Sequence, residues 1–479
     1  MKRNTFSLGQ TLPAMGFLLL MSFMGGCDIA NPSDVSNPRI TDENLAANAS
    51  GGAKSLITGL RRQFSIALGN TAYITDVASD NYYNIVSFIS NQLDAPRTIT
   101  LDDITMPNVY HNLEALNALA DFGLKTIIPA DNTATNDQKA ETRFYKGMAL
   151  MMLAENFTAF IGVENGPVVA ASAGVTQAID QFTQALALTS NASMKNNCQL
   201  ALARVHRLNR DKVNALAAAQ AALALSANYV FSAAYDAANL VNPAHPFVVS
   251  RASNDMQPLP RLDFLDPKYV TTSVSIPSLK AEEAHLIIAE AAIANGDLAG
   301  ARTAMTNAAN LARTRPTTLA YNDKDARPGR PNTSTWKVKS DASASSDSGL
   351  IFRRGGTSTV TVYPVSYTNV TAAAITALST QTQENHLRML YLLRQHIFLL
   401  EGRRMSDLGI RFPVTRRQTD TNRNIPIGSV GTTVVVPPFI PGADDVDKFT
   451  TDATAGLVTI AFDMNRLIAQ NISLVSPFF

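Results

Sequence analysis

The stretch that decides the fold lies past the middle of the chain, where residues 281–313 read AEEAHLIIAEAAIANGDLAGARTAMTNAANLAR. Apolar residues recur at helical spacing on both sides of Asn295-Gly296, which predicts one amphipathic helix up to Ala294 and a second helix after it. Glycine tolerates the left-handed conformation that ends a helix, and the Asp297 carboxylate can accept hydrogen bonds from the next first turn. The stretch therefore predicts a helical hairpin, ended by Pro316.

A spacing of four and then three residues between small or apolar positions occurs in three segments along the chain. The three sets are Ala178, Phe182 and Ala185; Ala215, Ala219 and Ala222; and Ala301, Met305 and Ala308. Together with the Gly-Asp turn, this spacing matches the tetratricopeptide pattern. One hairpin cannot bury its own apolar face, so several must stack. We therefore predict an all-α dominated fold, a tetratricopeptide-like superhelix of helical hairpins with long loops and a few short strands.

The composition changes after residue 315, where polar and Pro/Gly-rich stretches predict loops. The segment 357–367 is rich in Thr, Val and Tyr and predicts a short β-hairpin, and a long helix is predicted from about Ala372 to Met405. No break in composition separates a second compact domain. The predicted organisation is a single domain at 43–479, with hairpins at about 105–315 and 372–410 and a variable loop region at 316–371.

Charge and composition exclude several classes of protein. Lys and Arg number 40 and Asp and Glu 39, for a net charge of +1, whereas a nucleic-acid binder needs clustered cationic charge. Apolar residues make up 46% of the chain, enough for a core, which excludes disorder of the whole chain. Two cysteines, Cys27 and Cys198, are too few for a disulfide scaffold or a thiolate-rich metal centre.

The first residues resemble a bacterial lipoprotein signal. Lys2 and Arg3 precede a compact apolar run at 14–24, too short to span a bilayer, and the run ends in Met24-Gly25-Gly26-Cys27. Small residues before a cysteine are typical of a lipobox. We therefore predict a signal peptide at 1–26, lipidation of Cys27 and an extended tether at 27–42, which would hold the protein to a membrane by its lipid. The alternative is an ordinary secretory signal with an incidental cysteine.

Four segments carry a resemblance to a known family. They are Val109–Asn117, Glu141–Ala149, Glu283–Ala291 with its Glu-x-x-Leu-x-x-Ala-Glu-Ala pattern, and Arg394–Leu408 with its Glu-Gly-x-Arg-x-x-Asp-Leu pattern. Their order resembles that of the SusD/RagB family of outer-membrane nutrient-binding lipoproteins. The resemblance implies a SusD-like fold and a non-enzymatic protein that needs no cofactor. It also implies a lipid-anchored position in the outer membrane at the cell surface, an oligosaccharide or peptide ligand, and a SusC-like TonB-dependent transporter as partner.

The resemblance also implies roles for particular residues. Glu290, Glu401, Arg403 and Asp407 fall in the two most specific motifs. We expect them to lock the superhelix by ion pairs, although charges so arranged can also bind anions. Family members often carry acidic residues one and two turns before the Glu-Gly pair, where this chain has Leu393 and Ile397, so we expect a thinner salt-bridge network around Arg403.

Aromatic residues among polar neighbours are the candidates for ligand binding. Asn81, Tyr82 and Tyr83 fall in the connection after the first helix, where the resemblance implies that binding residues often lie, and Trp336 lies in the polar loop 318–349. Aromatic rings bind the apolar faces of sugars or side chains, and loops on a rigid scaffold often carry such sites. The alternative is that a tyrosine anchors the core and that Trp336 only decorates a loop.

The sequence offers no catalytic or metal-binding motif. The six histidines have no metal-ligand spacing, and the chain lacks GxSxG, P-loop and GxGxxG patterns. The acidic neighbours Asp102-Asp103, Glu282-Glu283 and Asp444-Asp445 with Asp447 could in principle supply a catalytic pair, but they are expected on solvated faces. Cys198 is expected to be inert. Two rival functions stay open: a tetratricopeptide-type scaffold in outer-membrane assembly, and an all-helical carbohydrate-active enzyme.

Overall fold

A computed structural model describes residues 50–84, 89–163, 165–249, 256–322, 335–351, 359–442, 446–476 and 478–479. The predicted signal peptide, the lipidation site Cys27 and the tether lie outside these residues. Ser50–Phe479 form one compact unit.

Nine helices of 14 to 26 residues dominate the described part of the chain. They are α1 (Gly52–Val77), α2 (Pro107–Phe122), α3 (Asn136–Asn156), α4 (Ala171–Leu188), α5 (Ala192–Leu208), α6 (Lys212–Leu225), α7 (Ala281–Ala294), α8 (Leu298–Thr314) and α9 (Gln383–Ile397). Shorter helices are Ile128–Ala130, His245–Val249, Ala372–Thr376, Arg404–Asp407, Arg416–Thr421, Met464–Gln470 and Ile472–Val475. The 3₁₀ turns are Pro96–Thr98, Pro260–Leu265 and Ala377–Thr380, and Gly123–Ile127 is a π-helical turn. No helix in the described ranges is both long enough and apolar enough to cross a membrane.

Three consecutive hairpins, α3–α4, α5–α6 and α7–α8, form the repeated part of the fold. The small and apolar residues of all three predicted sets are fully or almost fully buried. Gly147 of α3 lies close to Phe182 of α4: a Cβ built on Gly147 would lie 2.6 Å from the Phe182 ring. The small residues therefore set the distance between paired helices, as the tetratricopeptide pattern predicts.

The deciding hairpin has the predicted turn. Helix α7 ends at Ala294, and Gly296 adopts a left-handed φ of +77°. The Asp297 carboxylate caps α8 by accepting a hydrogen bond from the Gly300 backbone N–H at 2.8 Å. Helix α8 ends at Thr314, two residues before Pro316. Residues close together in the sequence thus determine where α7 ends, where α8 begins and where α8 ends.

The strands are short and pair mostly in twos. They are β1 (Tyr82–Asn84), β2 (Ala159–Ile161), β3 (Val168–Ala170), β4 (Val230–Ala233), β5 (Met256–Pro258), β6 (Ile276–Lys280), β7 (Thr318–Asn322), β8 (Lys337–Lys339), β9 (Ser346–Ser348), β10 (Thr359–Val362), β11 (Phe449–Asp452) and β12 (Leu457–Ile460). The pairs β1–β5, β2–β3, β4–β6 and β7–β10 are antiparallel. One four-stranded sheet has the order β11-β12-β8-β9, in which β12 and β8 run parallel.

Two predicted elements differ from the structure. The predicted hairpin at 357–367 is wrong, because β10 pairs with the distant strand β7. The predicted long helix from Ala372 to Met405 is also wrong, because the chain forms a short helix, then α9, then a turn. Leu400 and Gly402 take positive φ values of 54° and 69° in that turn.

Distant partners explain why the helix stops. The carbonyl oxygens of Ile397 and Leu399 accept hydrogen bonds from the ammonium groups of Lys280 and Lys268, at 2.7 and 2.8 Å. The Leu400 carbonyl accepts from the Tyr269 hydroxyl at 2.8 Å. These tertiary bonds satisfy the last carbonyls of the helix, so the backbone can turn without leaving them unpaired. Nothing in the local sequence reveals them.

Candidate ligand-binding surfaces and the buried ionic core

Charged side chains meet in the interior of the described protein and form what we call the ionic core. Its members are Asp76, Asp80, Glu155, Arg204, Arg207, Arg261, Lys268, Lys280, Glu282, Glu283, Glu290, Arg394, Glu401, Arg403, Arg404 and Asp407, all buried. Each of these acids except Asp76 makes a direct ion pair with a base. Buried charges are tolerated only when paired and hydrogen-bonded.

The turn after α9 contributes two of the predicted motif residues to this core. Glu401 accepts from Lys268 at 2.6 Å and from Lys280 at 2.7 Å through the same carboxylate oxygen. Arg403 contacts the Glu283 carboxylate at 3.3 Å and donates to the Glu401 carbonyl at 2.9 Å. Within the described residues, Glu283 is the acid that makes a direct ion pair with Arg403, and it lies 120 positions away in the chain. The expectation of a network thinner than in the family stays a prediction.

The other two motif residues are also held by ion pairs. Asp407 accepts from Arg394 at 2.8 and 2.9 Å, in a two-pronged geometry. Glu290 of α7 pairs with Arg207 of α5 and accepts from the Tyr391 hydroxyl of α9. These contacts tie three helices and the last turn together, so the arrangement favours the structural role over anion binding. The geometry is that of strong charge-assisted bonds.

Four of the acidic residues expected on solvated faces, Asp103, Glu282, Glu283 and Asp447, are buried and do not lie on a solvated face. Glu282 and Glu283 are buried, and Glu282 pairs with Arg315 at 2.6 Å. The sequence-based expectation for this pair is wrong because the cations that balance it lie far away in the chain. Asp102, in contrast, is exposed and pairs with Arg416 at 2.7 Å. Asp444 and Asp445 lie outside the described residues.

Burial shifts the protonation of several groups in the ionic core. Complete burial raises the pKa of Asp76 to about 7, although the Leu400 N–H and the Asn81 amide hold its carboxylate. For Asp80, burial also opposes the charge, but the guanidinium groups of Arg404 and Arg261 outweigh it and hold the pKa below its usual value. Burial, and then these two arginines, lower the pKa of His396 to about 3. The ionic core therefore contains a carboxyl group, that of Asp76, whose pKa is about 7.

Two of the four predicted ligand residues are inside the protein. Asn81 is fully buried and donates to Asp76 at 3.1 Å. Tyr82 is fully buried and its hydroxyl donates to Asp266 at 2.8 Å. A ligand in solution cannot reach these side chains in this structure, so the alternative of a core anchor holds for them. Both hydrogen bonds hold the segment next to Tyr83 in place.

Tyr83 and Trp336 are half-buried and lie beside the same sheet. The Tyr83 ring packs edge-on against Phe449 of β11, with ring centroids 5.7 Å apart. Trp336 directly precedes β8, and its Cδ1 lies 3.9 Å from where a Cβ on Gly456 would stand. Phe449 pairs with the last residue of β12, whereas Gly456 precedes its first, so the two contacts are about 10–15 Å apart along the sheet. A ligand surface at Tyr83 and Trp336 remains a prediction.

The structure adds a surface that the sequence did not indicate, which we call the aromatic cleft. It is open to solvent, has a volume of about 560 Å³, and lies between α1, the start of α3, the α4–α5 turn and β4. Phe64, Tyr145 and Phe231 are among its lining residues, with the rings of Phe64 and Phe231 stacked at 5.6 Å. Ligand sites commonly combine such an apolar floor with a few placed polar groups.

The walls of the aromatic cleft are polar. Arg61 of α1 holds Glu141 of α3 through two hydrogen bonds of 2.7 and 2.9 Å, and this bond to Glu141 raises the pKa of Arg61. The Tyr229 hydroxyl donates to Asn197 at 2.8 Å. Arg61 is largely exposed at the mouth, with 64% of its side chain accessible. The cleft thus offers aromatic rings, amides, hydroxyls and the exposed guanidinium groups of Arg61 and Arg62.

The sequence missed this cleft because its parts are far apart in the chain. Arg61 and Glu141 are separated by 80 positions, and Tyr229 follows the α5–α6 hairpin. The spacing of apolar residues shows which face of each helix is buried, but it does not show which helices pack against each other. Within the described ranges, no group of three or more His, Cys, Asp or Glu residues could hold a metal ion. Cys198 is buried, which raises the pKa of its thiol to about 12 and agrees with the expected inert role.

The stacked hairpins, the ionic core and the solvent-open aromatic cleft define a helical-repeat protein. Comparison with models of known protein families finds no match to this chain. Comparison with curated proteins also finds none.

Comparison with solved structures identifies the fold. The chain is similar to a SusD-like carbohydrate binding protein from Bacteroides vulgatus ATCC 8482, with a TM-score of 0.50 and 13% identity over 75% of this chain and 82% of that one. It is also similar to a SusD superfamily protein from the same organism, with a TM-score of 0.50 and 15% identity over 74% of this chain and 87% of that one. The protein has the SusD-like fold, which confirms the sequence-based prediction of fold.

Proposed function

We propose that this protein is a non-enzymatic, cell-surface lipoprotein that binds an oligomeric nutrient, a glycan or a peptide. In this proposal, lipidation of Cys27 anchors the chain in the outer membrane, and the bound nutrient passes to a SusC-like TonB-dependent transporter. The transporter supplies the energy, so the protein itself needs no cofactor.

The aromatic cleft is the observation that carries the proposal. Its volume lies within the roughly 300–1,000 Å³ that small-molecule sites occupy. Aromatic rings bind the apolar faces of sugar rings or side chains, while amides and hydroxyls match the polar groups of an oligomer. A solved protein with the same fold is described as carbohydrate binding, which supports a glycan as the first ligand to test.

The state of the cleft carboxylates favours binding over catalysis. Glu141 is held by Arg61 in two hydrogen bonds. Asp137 accepts from the Thr189 hydroxyl at 2.7 Å and from the Ser190 backbone N–H at 2.9 Å, and these bonds lower its pKa. Glycoside hydrolysis needs one carboxyl group that stays protonated as an acid, facing a second across the bond to be cut. The third carboxylate of the cleft, Asp236, accepts from the Asn239 and Ala238 backbone N–H groups at 2.6 and 2.9 Å, and these bonds lower its pKa. All three carboxylates instead serve to stabilise the walls of the cleft.

Titration calorimetry with neutral oligosaccharides and short peptides tests the proposal, with Arg61→Gln as the test variant. Arg416→Gln is a matched control, because Arg416 also makes an exposed two-pronged pair with an acid, Asp102, and does not line the aromatic cleft. We expect Arg61→Gln to weaken binding by about tenfold, since hydrogen bonds to charged groups contribute about 1.5–3 kcal/mol. Equal affinities for both variants and the parent protein would show that the ligand does not bind in the aromatic cleft.

A further inference from the structure

A second open cleft lies away from the aromatic cleft, between α2, the β2–β3 connection and the short helix Arg416–Thr421. Its volume is about 480 Å³. The polar residues that matter for its chemistry are His111, Glu114, Asn117, Arg417 and Gln418, and we call this surface the amide cleft. Its residues come from three separate parts of the chain, and it shares no lining residue with the aromatic cleft.

Asn117 is the first sign that the amide cleft receives a ligand. Its side chain is buried, with 6% of the residue exposed, and it lines the cleft. Its Oδ1 atom has no hydrogen-bond partner in the described part of the protein. Buried amide oxygens nearly always have a donor, because burial without one loses the hydrogen bonds to water. The hydroxyl group of a bound ligand or a water molecule can supply the missing donor.

Glu114, one helical turn before, lines the same cleft. Its carboxyl group accepts from the Ile161 backbone N–H at 3.3 Å and from the Gln418 amide at 3.2 Å. Partial burial raises the pKa of Glu114 to about 7, against the opposing effect of its hydrogen bonds with Tyr110 and Ile161. Its protonation therefore changes near neutral pH.

Arg417 supplies the positive charge of the amide cleft. It is exposed, and within the described residues it forms no ion pair. Burial, and then the charge of Arg417, lower the pKa of His111, so that imidazole is neutral at pH 7. Among the titratable groups, Tyr110 on the same helix is hydrogen-bonded to Glu114, and His111 and Arg417 line the same cleft.

We propose that the amide cleft binds a small carboxylate that also carries hydroxyl groups, such as a sugar acid. The ligand carboxylate pairs with the Arg417 guanidinium, and a ligand hydroxyl donates to Asn117 Oδ1. Neither contact depends on the aromatic cleft or on the proposed function.

The proposal has a pH dependence with a definite sign. A deprotonated Glu114 repels an anionic ligand, whereas a protonated Glu114 does not and can donate a hydrogen bond. Binding therefore strengthens as the pH falls through about 7. Between about pH 8 and about pH 5.5 the linkage allows about a tenfold gain in affinity.

Titration calorimetry with glucuronate and with glucose, at about pH 5.5 and about pH 8, tests the proposal. Glucose has the same ring without the carboxylate. We expect glucuronate to bind more tightly than glucose, and about tenfold more tightly at the lower pH. Glu114→Gln should bind glucuronate at both pH values with the affinity that the parent protein shows at the lower one. Asn117→Ala and Arg417→Gln should each weaken binding at least about tenfold.

Two control measurements locate the bound glucuronate within the protein. Asn117→Ala should keep the parent melting temperature, because its amide oxygen has no protein partner to lose, and Arg61→Gln should bind glucuronate normally. Equal affinity for glucose and glucuronate, or no binding of glucuronate at either pH, would overturn the proposal. So would a pH dependence that survives in Glu114→Gln, or glucuronate binding that is lost in Arg61→Gln and kept in Asn117→Ala.

Discussion

Asp80 and Arg404 are 324 positions apart in the chain and form a two-pronged ion pair in the ionic core, with Arg404 Nη2 donating to Asp80 Oδ2 at 2.8 Å. Both side chains are almost fully buried. Arg261 and Gln395 donate to the same carboxylate oxygen, at 2.9 Å each. A residue just after the first described helix thus joins the turn after α9 and the middle of the chain. The ion pair thus links the segment after α1 to the short helix Arg404–Asp407.

Removing the Asp80 carboxylate should strongly destabilise the protein. Asp80→Ala leaves two buried guanidinium groups, those of Arg404 and Arg261, without their main counter-charge, and breaking a buried pair in this way costs about 3–5 kcal/mol. Denaturant unfolding measures the loss. Asp102→Ala, which breaks the exposed pair with Arg416, is the control and should leave the free energy of unfolding nearly unchanged. Similar losses for the two variants would show that burial of the ion pair is not what matters.

Asp76 should make stability depend on pH. Its pKa is about 7 in the folded protein and close to the ordinary value of 3.8 when unfolded. Between these values the unfolded chain releases a proton that the folded protein keeps, so this group makes the protein less stable as the pH rises from about 4 to about 7. Asp76→Asn removes the effect and should be more stable, relative to the parent protein, at pH 8 than at pH 4. Thermal melts across this range measure it, and a difference independent of pH would contradict the assignment.

Packing of the helical hairpins should respond differently to alanine at two helical glycines. Gly147→Ala places a Cβ against the buried Phe182 ring and should destabilise by about 1–3 kcal/mol. Gly59→Ala is the matched control, because its Cβ would lie at an ordinary contact distance of 3.7 Å from Leu119. It should stabilise by about 0.5–1 kcal/mol through helix propensity. Melting temperatures that move in the same direction for both would contradict the account of close helix approach.

The elements that were predictable from sequence are those whose chemistry is local. The α7–α8 turn depends on Gly296 and Asp297, which are adjacent, and the buried positions of each hairpin follow from helical spacing. The end of α9 was missed because its carbonyl partners, Lys268 and Lys280, lie more than 100 positions away.

The candidate site was less predictable for the same reason. Tyr82 and Tyr83 have the same chemistry and neighbouring positions, yet Tyr82 is buried and Tyr83 is half-buried, because successive residues of a strand point to opposite sides. The register of β1 on β5 decides which tyrosine faces inward, and sequence alone does not supply it. The two clefts were invisible because they form where distant helices meet.

Trp336 offers a direct optical test of the predicted ligand surface. It is the single tryptophan of the chain and is half-buried beside Gly456. If it contacts the ligand, the emission of the protein should change on ligand addition, and Trp336→Ala should weaken binding by about 1–3 kcal/mol. Ligand binding that alters neither the emission nor, in Trp336→Ala, the affinity would exclude this residue from the surface.

The central claim, that the protein holds an oligomer without cutting it, is tested most directly by native mass spectrometry. The purified protein is incubated with defined neutral oligosaccharides and peptides, and the mass of the bound ligand is read from the complex after increasing times. The account predicts a complex whose ligand keeps its full length at every time point. Progressively shorter bound or free oligomers would show that the protein is an enzyme and would contradict the account.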